Sequence, residues 1–318
     1  MLEVNGLYWV ESPPRGTGFA HGRDGEREDA SFSAVRQNCM NLPELLQPIK
    51  IGRAVLTMAM SALAWACNSP GIAWTDPMTL SSAVSGGRLI VDGKGRARVV
   101  PDTSVSVTPT SDPHLCSGSV QAVRQDDGTL VAVWWSVRSD SSAVLLSAVS
   151  PDGGTVWRAP LRVDTADVSV VGCTRPAPSL AASAGFVHVA YSMRGREGAG
   201  IFYAHSMTRG QTYEPALTII YGDHLSRTAV ACDRGVIAVA YEDPNGSAQQ
   251  IGLAISRDWG HIFGDRYRGS TGVGAATAPQ VAVAGHQIAV AWMQGGSGTG
   301  DGDADARATR VIRVGRLQ

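Results

Sequence analysis

The sequence predicts an all-β chain, a β-propeller built from four-stranded antiparallel blades. Three observations carry that prediction. With 37 glycines among 318 residues the chain is a poor helix former, since an interior glycine costs about 1 kcal/mol relative to alanine. An octamer with one pattern of residue types recurs three times, beginning at positions 150, 206 and 256. A short β-rich run recurs four times, ahead of each octamer and once more near the end. Four strands in about 50 residues is the size of one propeller blade.

The octamers are Ser150-Pro-Asp-Gly-Gly-Thr-Val-Trp157, Ser206-Met-Thr-Arg-Gly-Gln-Thr-Tyr213 and Ser256-Arg-Asp-Trp-Gly-His-Ile-Phe263. Ser and Asp side chains close turns by bonding nearby backbone groups. Gly154, Gly210 and Gly260 take positive φ cheaply. Trp157, Tyr213 and Phe263 are sized to fill the space between neighbouring sheets. Asp152 and Asp258 share one octamer position, which Thr208 occupies in the second copy, keeping an acceptor but losing the carboxylate. The β-rich runs are Leu130-Val-Ala-Val-Trp-Trp135, Phe186-Val-His-Val-Ala-Tyr191, Val236-Ile-Ala-Val-Ala-Tyr241 and Gln287-Ile-Ala-Val-Ala-Trp292. Each follows a turn signal such as Asp127-Gly128, so each is a strand. About five units fit between residues 68 and 318 at this period, with four and six open. The last unit lacks a fourth strand of its own, and Arg88–Val91 or Ala97–Val100 is expected to supply it across the ring closure.

A net charge of −1 removes the basic footprint that nucleic-acid binding needs. The front of the chain reads as an export signal. Lys50 and Arg53 precede an apolar run from Ala54 to Ala66, and the small pair Ala64 and Ala66 stands before Cys67. That run is too short for a membrane span of about 20 residues. The organisation expected is therefore a start-site extension without regular structure over 1–39 and a signal over 40–67 beginning at Met40. A leading and ring-closing segment covers 68–115, and blades cover 116–318. The signal resembles that of a bacterial lipoprotein, which implies lipidation at Cys67 and an outer-membrane or surface location; plain secretion or a periplasmic location is the alternative. A lipid anchor is the only membrane contact expected.

The octamer resembles the Asp box of the bacterial neuraminidase repeat, and residues 116 to 318 resemble the sialidase-like β-propeller superfamily. That resemblance implies that the boxes are architectural and lie between the third and fourth strands of each blade. Ligands then belong on the opposite face. The segments between blades and the exits from the second strands carry Arg138, Arg175, Arg194 and Arg227 there, with Glu242 and Asp243. Planar guanidinium forks suit carboxylates, and sialidases hold a sugar carboxylate with three arginines. Arg175-Pro176 resembles part of the family's Arg-Ile-Pro signature, with the Ile missing. Tyr241 and Glu242 are strand neighbours pointing to opposite faces, so they do not form the family's tyrosine–glutamate pair. Glu242 and Asp243 stand only as candidate acids.

Cys116 and Cys173 hold equivalent places in neighbouring blades and are expected to form a disulfide, which an exported chain permits. Asp301, Asp303 and Asp305 open like a calcium loop, but Ala306 and Ile312 stand where that loop needs Gly and Glu. The segment reads as an acidic insertion, and neither metal nor cofactor is expected. The resulting expectation is an exported propeller that binds an acidic or glycan ligand on its axial face without turning it over. An exo-sialidase with an arginine clamp and a protein-docking propeller of the cell envelope are the alternatives.

Overall fold

A computed structural model describes residues 71–80, 87–102, 106–245, 249–272, 274–295 and 309–318. All of these lie in the unit Asn68–Gln318. The start-site extension, the signal with Cys67 and the Asp301–Asp305 segment fall outside the described residues.

The strands, in chain order, begin with β1 (Ile72–Trp74), β2 (Met78–Leu80), β3 (Arg88–Val91) and β4 (Ala97–Val100). Three four-stranded antiparallel meanders follow. The first holds β5 (Gln121–Arg124), β6 (Leu130–Val137), β7 (Ala143–Ser150) and β8 (Leu161–Asp164). The second holds β9 (Ser179–Ser183), β10 (Phe186–Gly195), β11 (Gly198–Ser206) and β12 (Leu217–Gly222). The third holds β13 (Thr228–Asp233), β14 (Val236–Glu242), β15 (Ile251–Ser256) and β16 (Asp265–Arg268). The fourth sheet joins β17 (Ala276–Ala284), β18 (Gln287–Gln294) and β19 (Thr309–Leu317) to a strand from the front of the unit.

That closing strand corrects the sequence expectation. β1 pairs with Gly315–Leu317 and β2 with Arg310–Ile312, while Thr75 between them donates to the Val314 carbonyl at 2.8 Å. The two are separate because Pro77 lacks an N–H for the ladder. β3 and β4 instead pair with each other, since the Asp92 carboxylate captures the N–H groups of Lys94 and Arg96 and closes a local hairpin. Leu89 of that hairpin packs on Ala289, Ala291 and Val314 of the fourth sheet.

The long apolar strands follow from this stacking. Successive side chains of a strand point to opposite faces, and here both faces are buried. Val131, Val133 and Trp135 pack against Val187, Val189 and Tyr191 of the second sheet, while Ala132 and Trp134 fill the opposite face of the first. Ala190 and Tyr203 then face Ile237, Val239 and Tyr241 of the third sheet. A strand buried on both sides reads as a continuous apolar run rather than an alternation.

The three octamers form the turns from third to fourth strands. Ser150 Oγ accepts from Gly154 N at 2.7 Å and donates to Asp152, whose carboxylate takes the N–H groups of Thr155 and Val156. Ser256, Asp258, Gly260 and Ile262 repeat this pattern. In the second octamer Ser206 still receives Gly210 N, and Thr208 Oγ1 receives Thr212 N at 2.9 Å, replacing the absent carboxylate. Gly210 and Gly260 have φ of +84° and +95°. Each also abuts the preceding sheet: a Cβ on Gly210 would press on Val131 and Val149, and one on Gly260 would land on the Tyr203 hydroxyl. Two of the terminal aromatics cross the same seams, and the third stays on its own sheet. Tyr213 packs into the first–second sheet core and bonds Ser147 at 2.8 Å. Phe263 meets Tyr203 edge-on at 4.7 Å, and Trp157 packs beside Trp134.

Candidate functional site

Opposite the octamers, one buried carboxylate organises three of the four predicted arginines. Asp167 is 2% exposed and lies between the first and second sheets. Its Oδ2 accepts from Arg175 at 2.5 Å and from the N–H of Ala143, and its Oδ1 accepts from Ser169 Oγ at 2.7 Å and from the backbone of Arg194. Its carbonyl receives Arg138. Sequence reasoning missed Asp167, because Asp-Val-Ser in a connection resembles any turn-forming aspartate.

The predicted arginines therefore differ in role. Arg175 has a fully buried side chain. Its guanidinium also donates to the carbonyls of Gly172, Ser141 and Ser169, and it lies 5.1 Å from the Trp135 ring. It is a structural cation with no edge turned to solvent, which corrects its assignment as a ligand clamp. Arg138 is half-buried and donates to Ser142 and the Thr165 carbonyl, forming a wall. Arg194 is exposed and reaches the Asp223 carbonyl. Arg227 stands apart, tied to Glu242 through its backbone N–H.

The candidate acids are likewise committed. Glu242 is 5% exposed, and its oxygens accept from Arg227 N, Ala278 N and Gln249 Nε2, joining the third sheet to the fourth. Asp243 caps the turn at Asn245 N. Burial of Glu242 inside a seam, with its acceptors filled, removes it from contact with a ligand. The Cys116–Cys173 disulfide joins the approach to β5 to the turn that leads into Arg175. A cross-link spanning 57 residues contributes about 4 kcal/mol in the chain-entropy account. Cys232 is a free thiol that burial pushes up to about 12, so it stays protonated.

Two concavities stand out among the described residues. The axial one, about 430 Å³, is lined by β3, β5, β9, β13 and β17, and none of the four predicted arginines lines it. The larger, about 1090 Å³, opens between the first and second sheets beside Asp167. Arg138, Asp164 and Arg162 form one side of it, and the β10–β11 hairpin with Arg196 and Glu197 forms the other. Gly195 pairs with Gly198, so Arg196 and Glu197 sit at the tip of a two-residue turn. The Tyr221 hydroxyl donates to Glu197 Oε2 at 2.5 Å, and its ring, 45% exposed, rests edge-on against Phe202. Tyr191 donates to Asp164 at 2.5 Å from beneath. Arg162 and Arg196 are exposed, and neither guanidinium forms an ion pair among the described residues.

No protein-family model and no curated protein matches the chain. Among solved structures it is similar to a Hadza microbial sialidase (12% identity, TM-score 0.41, covering 66% of this chain and 40% of that one). It is also similar to Trypanosoma rangeli sialidase in complex with 2,3-difluorosialic acid (12% identity, TM-score 0.43, 72% and 40%). A xylan β-1,4-xylosidase from Bacillus halodurans C-125 is similar at 15% identity, TM-score 0.41, 76% and 52%. The chain thus spans about 40% of the length of these sialidases. The four-stranded meanders and the octamer turns between their third and fourth strands give it a sialidase-like propeller fold.

Proposed function

We propose that the chain is an exported, non-catalytic propeller that holds an acidic glycan in the cleft between its first and second sheets. One observation carries this reading: Arg162, Arg196 and the exposed ring of Tyr221 line a single cleft. A sugar ring lies against an aromatic face, and a guanidinium takes a carboxylate in a bidentate fork. The commitment of Glu242 and Asp243 to structural bonds supports binding without turnover. Export rests on the sequence at 50–67, and an envelope partner is not needed for this reading.

Calorimetric titration with sialyl and glucuronate-terminated oligosaccharides tests it. Arg196→Ala and Tyr221→Ala should each weaken binding about tenfold, corresponding to the loss of one charged hydrogen bond or one stacking contact. Equal affinity in wild type and both variants would remove the cleft from consideration. Hydrolysis is the second reading, favoured by the Tyr221–Glu197 hydrogen bond, because sialidases use a tyrosine nucleophile. Release of a fluorogenic aglycone from a sialoside, abolished by Tyr221→Phe, would establish it over simple binding.

A further inference from the structure

The connection that carries Asp167 has an inverted surface pattern. Asp167 and Ser169 point inward and are 2% and 5% exposed, while Val168 and Val170 point outward at 47% and 74%. Val171 adds a third outward apolar side chain at 40%. Val168 lines the cleft, and Val170, two residues further on, shares its outward setting while Asp167 and Ser169 turn inward. An unconstrained loop would turn its valines inward and its polar side chains to water. Here that reversal is blocked. Asp167 is held by Arg175, Ser169 Oγ by Asp167, and Val168 N by the Arg194 carbonyl. The segment leads directly into the one-turn helix Gly172–Thr174, which Cys173 fastens to Cys116.

We infer that the ligand of this cleft is an acidic saccharide joined to an apolar aglycone, with the saccharide at Arg162, Arg196 and Tyr221 and the aglycone along Val168 and Val170. This rests on the reading given under Proposed function and adds the class of glycoconjugate. The occupant follows from two neighbouring chemistries: exposed guanidiniums that form no ion pair among the described residues and so can take an anion, and a fixed apolar ridge that meets the cleft wall at Val168. A purely polar oligosaccharide would leave the ridge in water, and a purely apolar peptide would leave the guanidiniums unmatched.

Calorimetry with glucuronic acid and with octyl β-glucuronide, kept below its micelle concentration, separates the possibilities. The octyl glycoside should bind about tenfold more tightly, equivalent to burying roughly two methylenes. In Val170→Ser, and independently in Val168→Ser, that ratio should fall below about threefold, whereas Val156→Ser on an octamer turn should preserve it. Equal affinities for the two ligands, or a ratio unchanged in both variants, would overturn the aglycone assignment while leaving acidic-glycan binding standing. Failure of both compounds to bind would overturn the cleft as a glycan site and this inference with it.

Discussion

Replacing Arg175 with methionine should destabilise the protein by about 3 to 5 kcal/mol, the usual consequence of removing one partner from a buried ion pair. The Arg175–Asp167 pair is 2.5 Å long with side chains 0% and 1% exposed. Methionine keeps much of the volume but leaves the Asp167 carboxylate buried with only Ser169 Oγ and the backbone N–H groups of Ala143, Ser169 and Arg194 around it. Three carbonyls lose a donor as well, of which Ser141 keeps the Gly172 N–H. Urea unfolding should show a lower midpoint with an unchanged slope, and melting should occur roughly 10 °C earlier for a unit of this size. The double variant Arg175→Met/Asp167→Asn should recover part of the loss, because it removes the stranded charge. A cost under about 1 kcal/mol for Arg175→Met would mean that the node is open to water.

Lowering the pH should destabilise the seam between the second and third sheets before any carboxylate matters. His188 is 1% exposed, and its Nδ1 lies 2.6 Å from the Tyr203 hydroxyl. Burial, helped by neighbouring His205, pushes its pKa down to about 3. The sign follows from proton counting. In the unfolded chain a histidine titrates near 6.5, so below that pH the unfolded state binds a proton that the folded state refuses. Stability is complete above about pH 6.5 and declines until the folded group titrates near 3, a total of about 5 kcal/mol. His205, 3% exposed and with Nε2 unpartnered, is lowered for the same reason of burial, reinforced by His261. The ring of His261 stands 4.9 Å away, and Glu214 and Asp258 act on His205 in the opposite direction. Hydrogen bonds hold Asp127, Asp140 and Asp152 below their ordinary range, so their contribution is lost only below about pH 4. Denaturation at a series of pH values should therefore show a decline between pH 6.5 and 4.5 that His188→Gln reduces. A flat profile over that window would show that both imidazoles are hydrated.

Much of the fold could be read from local chemistry. The octamers announce their turns because Ser, Asp and Gly close them within eight residues, and the strand runs announce themselves because both faces are buried. The closing strand was harder to see. β1 and β2 are three residues each and are interrupted by proline, so they carry little pattern, whereas Arg88–Val91 is a better strand whose partner happens to be its own hairpin mate. The site was legible in part. Repeat position puts Arg138 on the face opposite the octamers, where it lines the cleft rather than the axial cavity. Arg175 was misassigned because a buried ion pair and an open clamp look alike in sequence, and its partner Asp167 lies in an unremarkable turn. Arg162 on an outer strand resembled ordinary surface charge. For Arg196 and Glu197 a signal did exist: the flanking Gly195 and Gly198 mark a two-residue hairpin that projects both side chains together.

The proposed ligand lies between two sheets rather than at the axis. A crystal structure with a glucuronate-terminated oligosaccharide tests this most directly. The carboxylate should lie within hydrogen-bond distance of Arg162 and Arg196, with a pyranose face against Tyr221. Density for the sugar in the axial cavity lined by β3, β5, β9, β13 and β17, with the cleft unchanged, would contradict it.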